Sequence, residues 1–272
     1  MSAVSVKLLG IGLIGPGLTG WAAAREVLAG QTAHLSAPTA VPSPQRLPAA
    51  ERRRAGVAIK VAMAAAEEAC ADAGLAPQTL PTVFTSSSGD GVNCHTLCEA
   101  LAGSDRLISP TRFTNSVHNA AAGYWHIGVA GQAPSTSLCA YDASFGAGLV
   151  EAVTQVRQHA TPLLLVASDT PYPEPLQSAR PLPDSFGLGL VFGPADGAGL
   201  TLSVNLVPAN PATRPTPCAD PGLEAMRRAL PSARALPLLE AVARGGAVEQ
   251  VVLLEYQASL HLRVEISGQG PT

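Results

Sequence analysis

The feature that most constrains this chain is the stretch Pro134–Gly148, reading P-S-T-S-L-C-A-Y-D-A-S-F-G-A-G, followed by a helical run and then Leu163–Ala167. Pro134–Tyr141 has the pattern of a strand. Ser144–His159 carries Phe145, Leu149, Ala152, Val153 and Val156 on one helical face. Leu163–Ala167 is continuously apolar, the mark of a strand buried on both faces of a parallel sheet. Strand, sharp turn, helix and strand in this order place the turn at the open end of a sheet, where a nucleophile is often held. Asp142 stands at the tip of that turn, with Cys139 three positions earlier on the strand.

The rest of the chain repeats the alternation. Val4–Gly12 reads as a first strand, Trp21–Ala29 as a short helix, and Thr32–Pro48 as a Pro- and Ser-rich loop. Glu51–Ala73 reads as one long helix with small residues on its apolar stripe, ended by Gly74. Thr82–Ser87 is a strand, Val92–Ala102 a helix, Ile108-Ser109-Pro110 the start of an extended loop, and Asn115–Ile127 a further helix. Thr170–Asp184 is proline-rich loop. Ser185–Phe192 and Leu200–Val207 read as an antiparallel hairpin on the sheet edge. A helix (Leu223–Leu230), a helix (Ala235–Arg244) and two strands (Gln250–Tyr256, Leu260–Ile266) complete the chain. The expected architecture is α/β, a mixed and mainly parallel sheet covered by helices on both faces. The expected organisation is a domain over residues 1–208 and an extension over 209–272 packed on the same core.

Composition limits function. Hydrophobic residues make up 47% and charged residues 14% of the 272, which fits a compact globular chain. The net charge of −3 offers no attraction for nucleic acid or an acidic membrane, and the triplet Arg52-Arg53-Arg54 reads as a solvated helix start. No run reaches the roughly 20 apolar residues of a membrane span. The glycine-broken run after Lys7 makes a poor signal peptide, so a soluble, cytoplasmic protein is expected. Five cysteines without a regular framework read as reduced thiols. Cys94, His95 and Cys98 lack a second ligand pair at finger-like spacing, so neither a metal nor a cofactor is expected.

Two local motifs carry little weight. Gly10, Gly12 and Gly15 satisfy G-x-G-x-x-G after a strand. Pro16-Gly17 follows at once, however, and no acidic residue lies between Glu26 and Glu51 to hold a ribose, so a nucleotide-binding oxidoreductase is the weakest reading. His118 has no second ligand at i+4 and reads as a residue bonded to a nearby carbonyl.

Taken together, Val6–Gly17, Ala62–Gly74, Ile108-Ser109-Pro110, Asn119 with Ala122-Gly123, and Pro134–Ala152 resemble the N-terminal half of β-ketoacyl synthases, condensing enzymes of the thiolase fold. The similarity runs from Val4 to Val207. It implies a thiolase-like half with a short α/β extension. Carried without a gap from Ile108-Ser109-Pro110, the family's active-site cysteine falls on Asp142. The two catalytic histidines have no counterpart, since His261 is the only histidine after His159. Condensation needs a thiolate to hold the acyl chain and imidazoles to stabilise the enolate. The resemblance therefore implies a chain that is not an enzyme by itself. It is similar to the chain-length-factor-type small subunit of aryl-polyene and xanthomonadin biosynthesis. Such a subunit pairs with an active ketosynthase, as a heterodimer or larger assembly, and meets the acyl chain of acyl carrier protein only indirectly. Ile108, Phe113, Thr114 and His118 are then the candidates for tunnel wall or interface. An acyltransferase using Cys139 is the alternative.

Overall fold

The computed structural model describes residues 3–196, 199–211, 213–245 and 249–268. Val4–Gly15 (β1) is followed by Leu18–Thr19 (β2), Trp21–Leu28 (α1), Ala49–Arg54 (α2) and Val57–Asp72 (α3). Thr82–Thr85 (β3), Gly91–Ala102 (α4), Pro110–Thr114 (α5), Ala120–Val129 (α6) and Ser135–Leu138 (β4) come next. Ser144–His159 (α7), Leu163–Asp169 (β5), Leu176–Ala179 (α8), Phe186–Gly193 (β6) and Leu200–Pro208 (β7) continue the chain. Pro221–Ala229 (α9), Leu236–Arg244 (α10), Gln250–Gln257 (β8) and Leu260–Ser267 (β9) complete it.

All the strands join one mixed sheet in the order β4-β3-β5-β6-β1-β7-β9-β8, with β2 paired to β1. Helices cover both faces. One core joins α1, α7, α9 and α10 to the sheet through residues such as Phe145, Leu149, Leu239 and Leu254. The other joins α3 and α6 to it through Met63, Trp125, Leu164 and Val191. The thiolase-like arrangement is therefore present, but the parallel part is smaller than the alternation of elements implied. Among the described residues only β4, β3 and β5, linked by the helical crossovers, run parallel. All other neighbours in the sheet are antiparallel.

The expected hairpin does not form. Both β6 and β7 pair with β1, on opposite sides of it: Gly193 lies opposite Lys7, and Leu200 opposite Leu8. Both run antiparallel to β1, so the chain steps across it and continues in the same direction. The reason is legible in β6 itself. Phe186–Gly193 has no polar alternation and is buried throughout, which demands neighbours on both sides and a place inside the sheet. The tail then extends the sheet, with β9 pairing with β7 over Thr201–Pro208.

The long helix expected over Glu51–Ala73 is two helices. Ala55 is extended (φ −65°, ψ 117°), and α3 starts afresh after Gly56. A side chain at Gly56 would press on the Asp90 carboxylate, 2.6 Å from where its Cβ would lie. Arg52-Arg53-Arg54 thus ends α2 rather than starting a helix.

Helix α3 lies directly on the strands. A Cβ at Gly10, Gly12 or Gly189 would overlap backbone atoms of Ala65 or Ala69. The first two glycines of the G-x-G-x-x-G match, Gly10 and Gly12, therefore serve helix-on-sheet packing. Gly15 ends β1 and no helix opens there, which removes the dinucleotide reading.

The same contact explains two carboxylates on α3. β7 accompanies β1 only over Val4–Leu8, leaving the N–H groups of Ile11 and Leu13 without a strand on that side. Asp72 accepts from the Ile11 N–H at 2.8 Å. Glu68 accepts from Leu13 at 2.8 Å and from Trp21 at 2.5 Å. Carboxylates four residues apart on the helix thus match N–H groups two residues apart on the strand. Among the described residues, no helix is long and apolar enough to cross a membrane.

Candidate functional site

The turn between β4 and α7 sits where the sequence placed it, and α7 begins at Ser144 as expected. Its shape is fixed locally by one hydroxyl. Ser144 Oγ accepts from the Ala140 N–H at 3.0 Å and donates to the Tyr141 carbonyl at 2.7 Å. Thr85 Oγ1 donates to the Ser144 carbonyl at 2.8 Å, tying the turn to β3. Tyr141 takes a left-handed conformation (φ 54°) at the head of a 3₁₀ turn, Tyr141–Ala143. That conformation is costly for a bulky residue.

Asp142 is held by two guanidinium groups. Arg180 Nη2 donates to it at 2.6 Å, and Arg234 Nη2 stands 3.5 Å from its other oxygen. The Arg180 guanidinium also lies over the Tyr141 ring, 3.5 Å from its centroid. Arg234 and Arg227 both reach Glu255, at 3.3 and 3.1 Å, and Arg227 continues to Glu224 at 2.7 Å. A line of alternating charge therefore joins the turn to α9 and β8. Asp142 does not cap α7, whose N-terminus has no side-chain capping bond.

The tip of this turn carries the Asp142 carboxylate between Arg180 and Arg234. A carboxylate pinned between two guanidiniums carries no acyl group as a thioester. Cys139 lies three residues earlier, exposed, with its thiol donating to the Ser87 carbonyl at 3.2 Å. Among the described residues no histidine hydrogen-bonds either Cys139 or Asp142. His126 is committed to Thr82 and the Gly131 carbonyl, and His261 lies in β9 with a buried Nδ1 that has no partner. No group of three or more metal-ligating side chains occurs among the described residues.

The other candidates lie on the segment leading into α6. Ile108 is half-buried, while Phe113, Thr114 and His118 are exposed. His118 makes no hydrogen bond to a carbonyl, contrary to the expectation from sequence. It lines a crevice at the carboxyl ends of β3 and β5 with Phe84, Thr85, Ser86 and Ser168. That crevice has a volume of about 30 Å³, room for a water or two and far too small for an acyl chain. Beside it opens a cleft of about 690 Å³ that includes Arg53, Arg54 and Arg112. The segment is anchored by Asn93, which donates to the Arg112 carbonyl at 2.8 Å, and by Asn115, which donates to the Arg54 carbonyl at 3.2 Å. Leu107, Phe113, Val117 and Ile127 are large apolar residues left exposed on it and on α6. The sequence reading missed Arg180 and Arg234, the two partners that define the state of Asp142.

Residues 21–243 match the family described as β-ketoacyl synthase, N-terminal domain. The chain belongs to this family. The resemblance drawn from its motifs is thereby borne out, and the solved structures it is similar to agree. One, from Xenorhabdus doucetiae, is the ketosynthase ApeO in complex with its chain length factor ApeC. It aligns at TM-score 0.71 and 21% identity over 97% of this chain and 99% of that one. The ishigamide ketosynthase/chain length factor aligns at TM-score 0.74 and 14% identity, covering 98% of this chain and 100% of that one. A type II polyketide acyl-carrier protein in complex with its hexaketide-bound ketosynthase (AntDE:AntF) gives TM-score 0.71 and 13% identity, over 98% and 100%. At these identities the likeness is one of fold. No curated protein matches the chain in sequence.

Proposed function

We propose that this chain is a non-catalytic ketosynthase homologue of the chain-length-factor type, which binds an active β-ketoacyl synthase and shapes or stabilises its acyl tunnel. The observation that carries the reading is Asp142. In the register carried from Ile108-Ser109-Pro110, the family's nucleophile falls on Asp142, a carboxylate paired with Arg180 and Arg234. Such a site neither attacks a thioester nor stores an acyl chain.

The surface supports a partner. β4 is the margin of the sheet and pairs only with β3, so its outer N–H and C=O groups are free to receive another strand. The exposed apolar residues Leu107, Phe113, Val117 and Ile127 belong to the segment and helix that precede this margin. ApeC, in one of the similar structures, is described as a chain length factor complexed with a ketosynthase. In this reading Ile108, Phe113, Thr114 and His118 face the partner, and the tunnel they border belongs to the pair.

The test is co-expression with the full-length ketosynthases of the same genome, followed by native mass and product analysis. The proposal expects a stable complex with one of them, no acyl adduct on this chain, and a changed product length when Ile108 or Phe113 is enlarged. An acyl adduct on Cys139 of this chain, formed from an acyl thioester, would establish the acyltransferase alternative instead.

A further inference from the structure

Tyr141 combines three properties seldom found in one residue. Its backbone is left-handed at φ 54°. Its side chain is large and the residue is 60% exposed. Its ring is nonetheless held in place, stacked against the Arg180 guanidinium at 3.5 Å. Ala130 and Ala160 also take positive φ, but at the C-caps of α6 and α7, where it completes a helix. Tyr141 instead precedes a helix, and nothing in that turn requires an aromatic side chain. A strained backbone carrying a pre-organised exposed ring is a feature maintained against its own cost.

The clamp that holds the ring is the residue at the nucleophile position. Asp142 binds Arg180 at 2.6 Å, and Arg234 neutralises its second oxygen at 3.5 Å. Arg180 Nη1 is buried and has no hydrogen-bond partner, and Nη2 is the nitrogen that bonds Asp142. Leu176, on the short helix ended by Arg180, is also exposed and extends the apolar surface next to the clamp.

We propose that Tyr141 is the anchor through which this chain grips its ketosynthase partner, and that Asp142 is its positioning residue, acting through Arg180. This rests on the reading above, because it takes the partner to be a ketosynthase subunit. The fold supplies continuity: Tyr141 lies three residues beyond the end of β4, so a partner strand seated along Ser135–Leu138 reaches it next. Exposed rings fixed in advance lose little rotamer freedom on binding, and Tyr and Arg dominate the centres of protein interfaces. The position that holds a nucleophile in the enzymes of this fold thus holds a surface residue rigid here.

The experiment measures the dissociation rate of the complex with the ketosynthase, together with the melting temperature of the isolated chain. Tyr141→Phe is expected to dissociate like wild type. Tyr141→Ala is expected to dissociate at least tenfold faster, with the melting temperature of the free chain unchanged. Tyr141→Gly, which relaxes the left-handed strain, is expected to weaken the complex while the free chain melts no lower. Asp142→Asn is expected to speed dissociation in the wild-type background and to have no further effect when combined with Tyr141→Ala. Wild-type-like dissociation of Tyr141→Ala overturns the anchor. An undiminished effect of Asp142→Asn in the Tyr141→Ala background overturns the positioning role. If the wild-type chain binds no ketosynthase at all, both the functional reading and this inference fail, and that outcome shows before any variant is made.

Discussion

Glu68 offers a prediction whose size follows from geometry. Its carboxylate accepts two backbone N–H groups, from Leu13 at 2.8 Å and Trp21 at 2.5 Å. The Leu13 donor has no strand beside it, because β7 leaves β1 after Leu8, and Trp21 is the first residue of α1, where the N–H has no partner within the helix. Burial is the largest influence on this group and raises its pKa, so it is paired in surroundings that do not favour charge. Glu68→Ala strands two part-buried donors, and at about 1–3 kcal/mol each the loss comes to roughly 2–6 kcal/mol. For a chain of this size that lowers the melting temperature by about 10 °C. Glu68→Gln keeps one acceptor oxygen and loses about half as much, roughly 1–3 kcal/mol. Urea unfolding with an unchanged m-value is the assay, since it separates lost stability from a changed unfolded state. A Glu68→Ala chain that unfolds within about 0.5 kcal/mol of wild type would refute the claim that this carboxylate substitutes for a strand.

Other outcomes follow from the same structure. Hydrogen bonding from Arg227 is the main reason the Glu224 carboxyl is lowered from 4.5 to about 2. Its contribution, up to roughly 3 kcal/mol, is complete above pH 4.5 and fades as the pH falls toward 2. Glu224→Gln should accordingly show a flatter loss of urea stability between about pH 5 and pH 3 than wild type; equal slopes would remove Glu224 from the acid response. Asp142→Cys places a thiol between Arg180 and Arg234, which favours the thiolate. The new thiol should be alkylated by iodoacetamide at neutral pH faster than Cys139, as read by peptide mass spectrometry, and a slower rate would contradict the charge balance described for the turn. Gly12→Ala should destabilise the fold markedly, because its Cβ overlaps the Ala65 carbonyl of α3. Wild-type melting would mean α3 does not lie where it is described.

Much of this architecture is written locally. The limits of α7 follow from Ser144, the apolar face of Phe145, Leu149 and Val156, and the strand before it, all within one short stretch. What local pattern misses is what distant residues decide. Gly56, between α2 and α3, leaves room for the distant Asp90 carboxylate, and the central place of β6 is set by β1 and β5. The signal for β6 was present in its unbroken apolar run, but the six-residue turn after it invited a hairpin. The roles of Glu68 and Asp72 are not legible in the sequence, since nothing near them tells that β1 loses its neighbour after Leu8. The candidate site shows the same division. Asp142 is legible as the tip of the turn from its neighbours alone. Its state is not, because Arg180 comes from a proline-rich loop 38 residues away and Arg234 from the tail.

The central claim is that this chain keeps the fold of a condensing enzyme and works through a partner. Purified alone and with its ketosynthase, the two preparations should be given acyl and malonyl thioesters on acyl carrier protein and followed by intact-protein mass spectrometry and product analysis. The account predicts an acyl adduct on the ketosynthase only, and product only when both chains are present. Product or an acyl adduct from this chain by itself would contradict it.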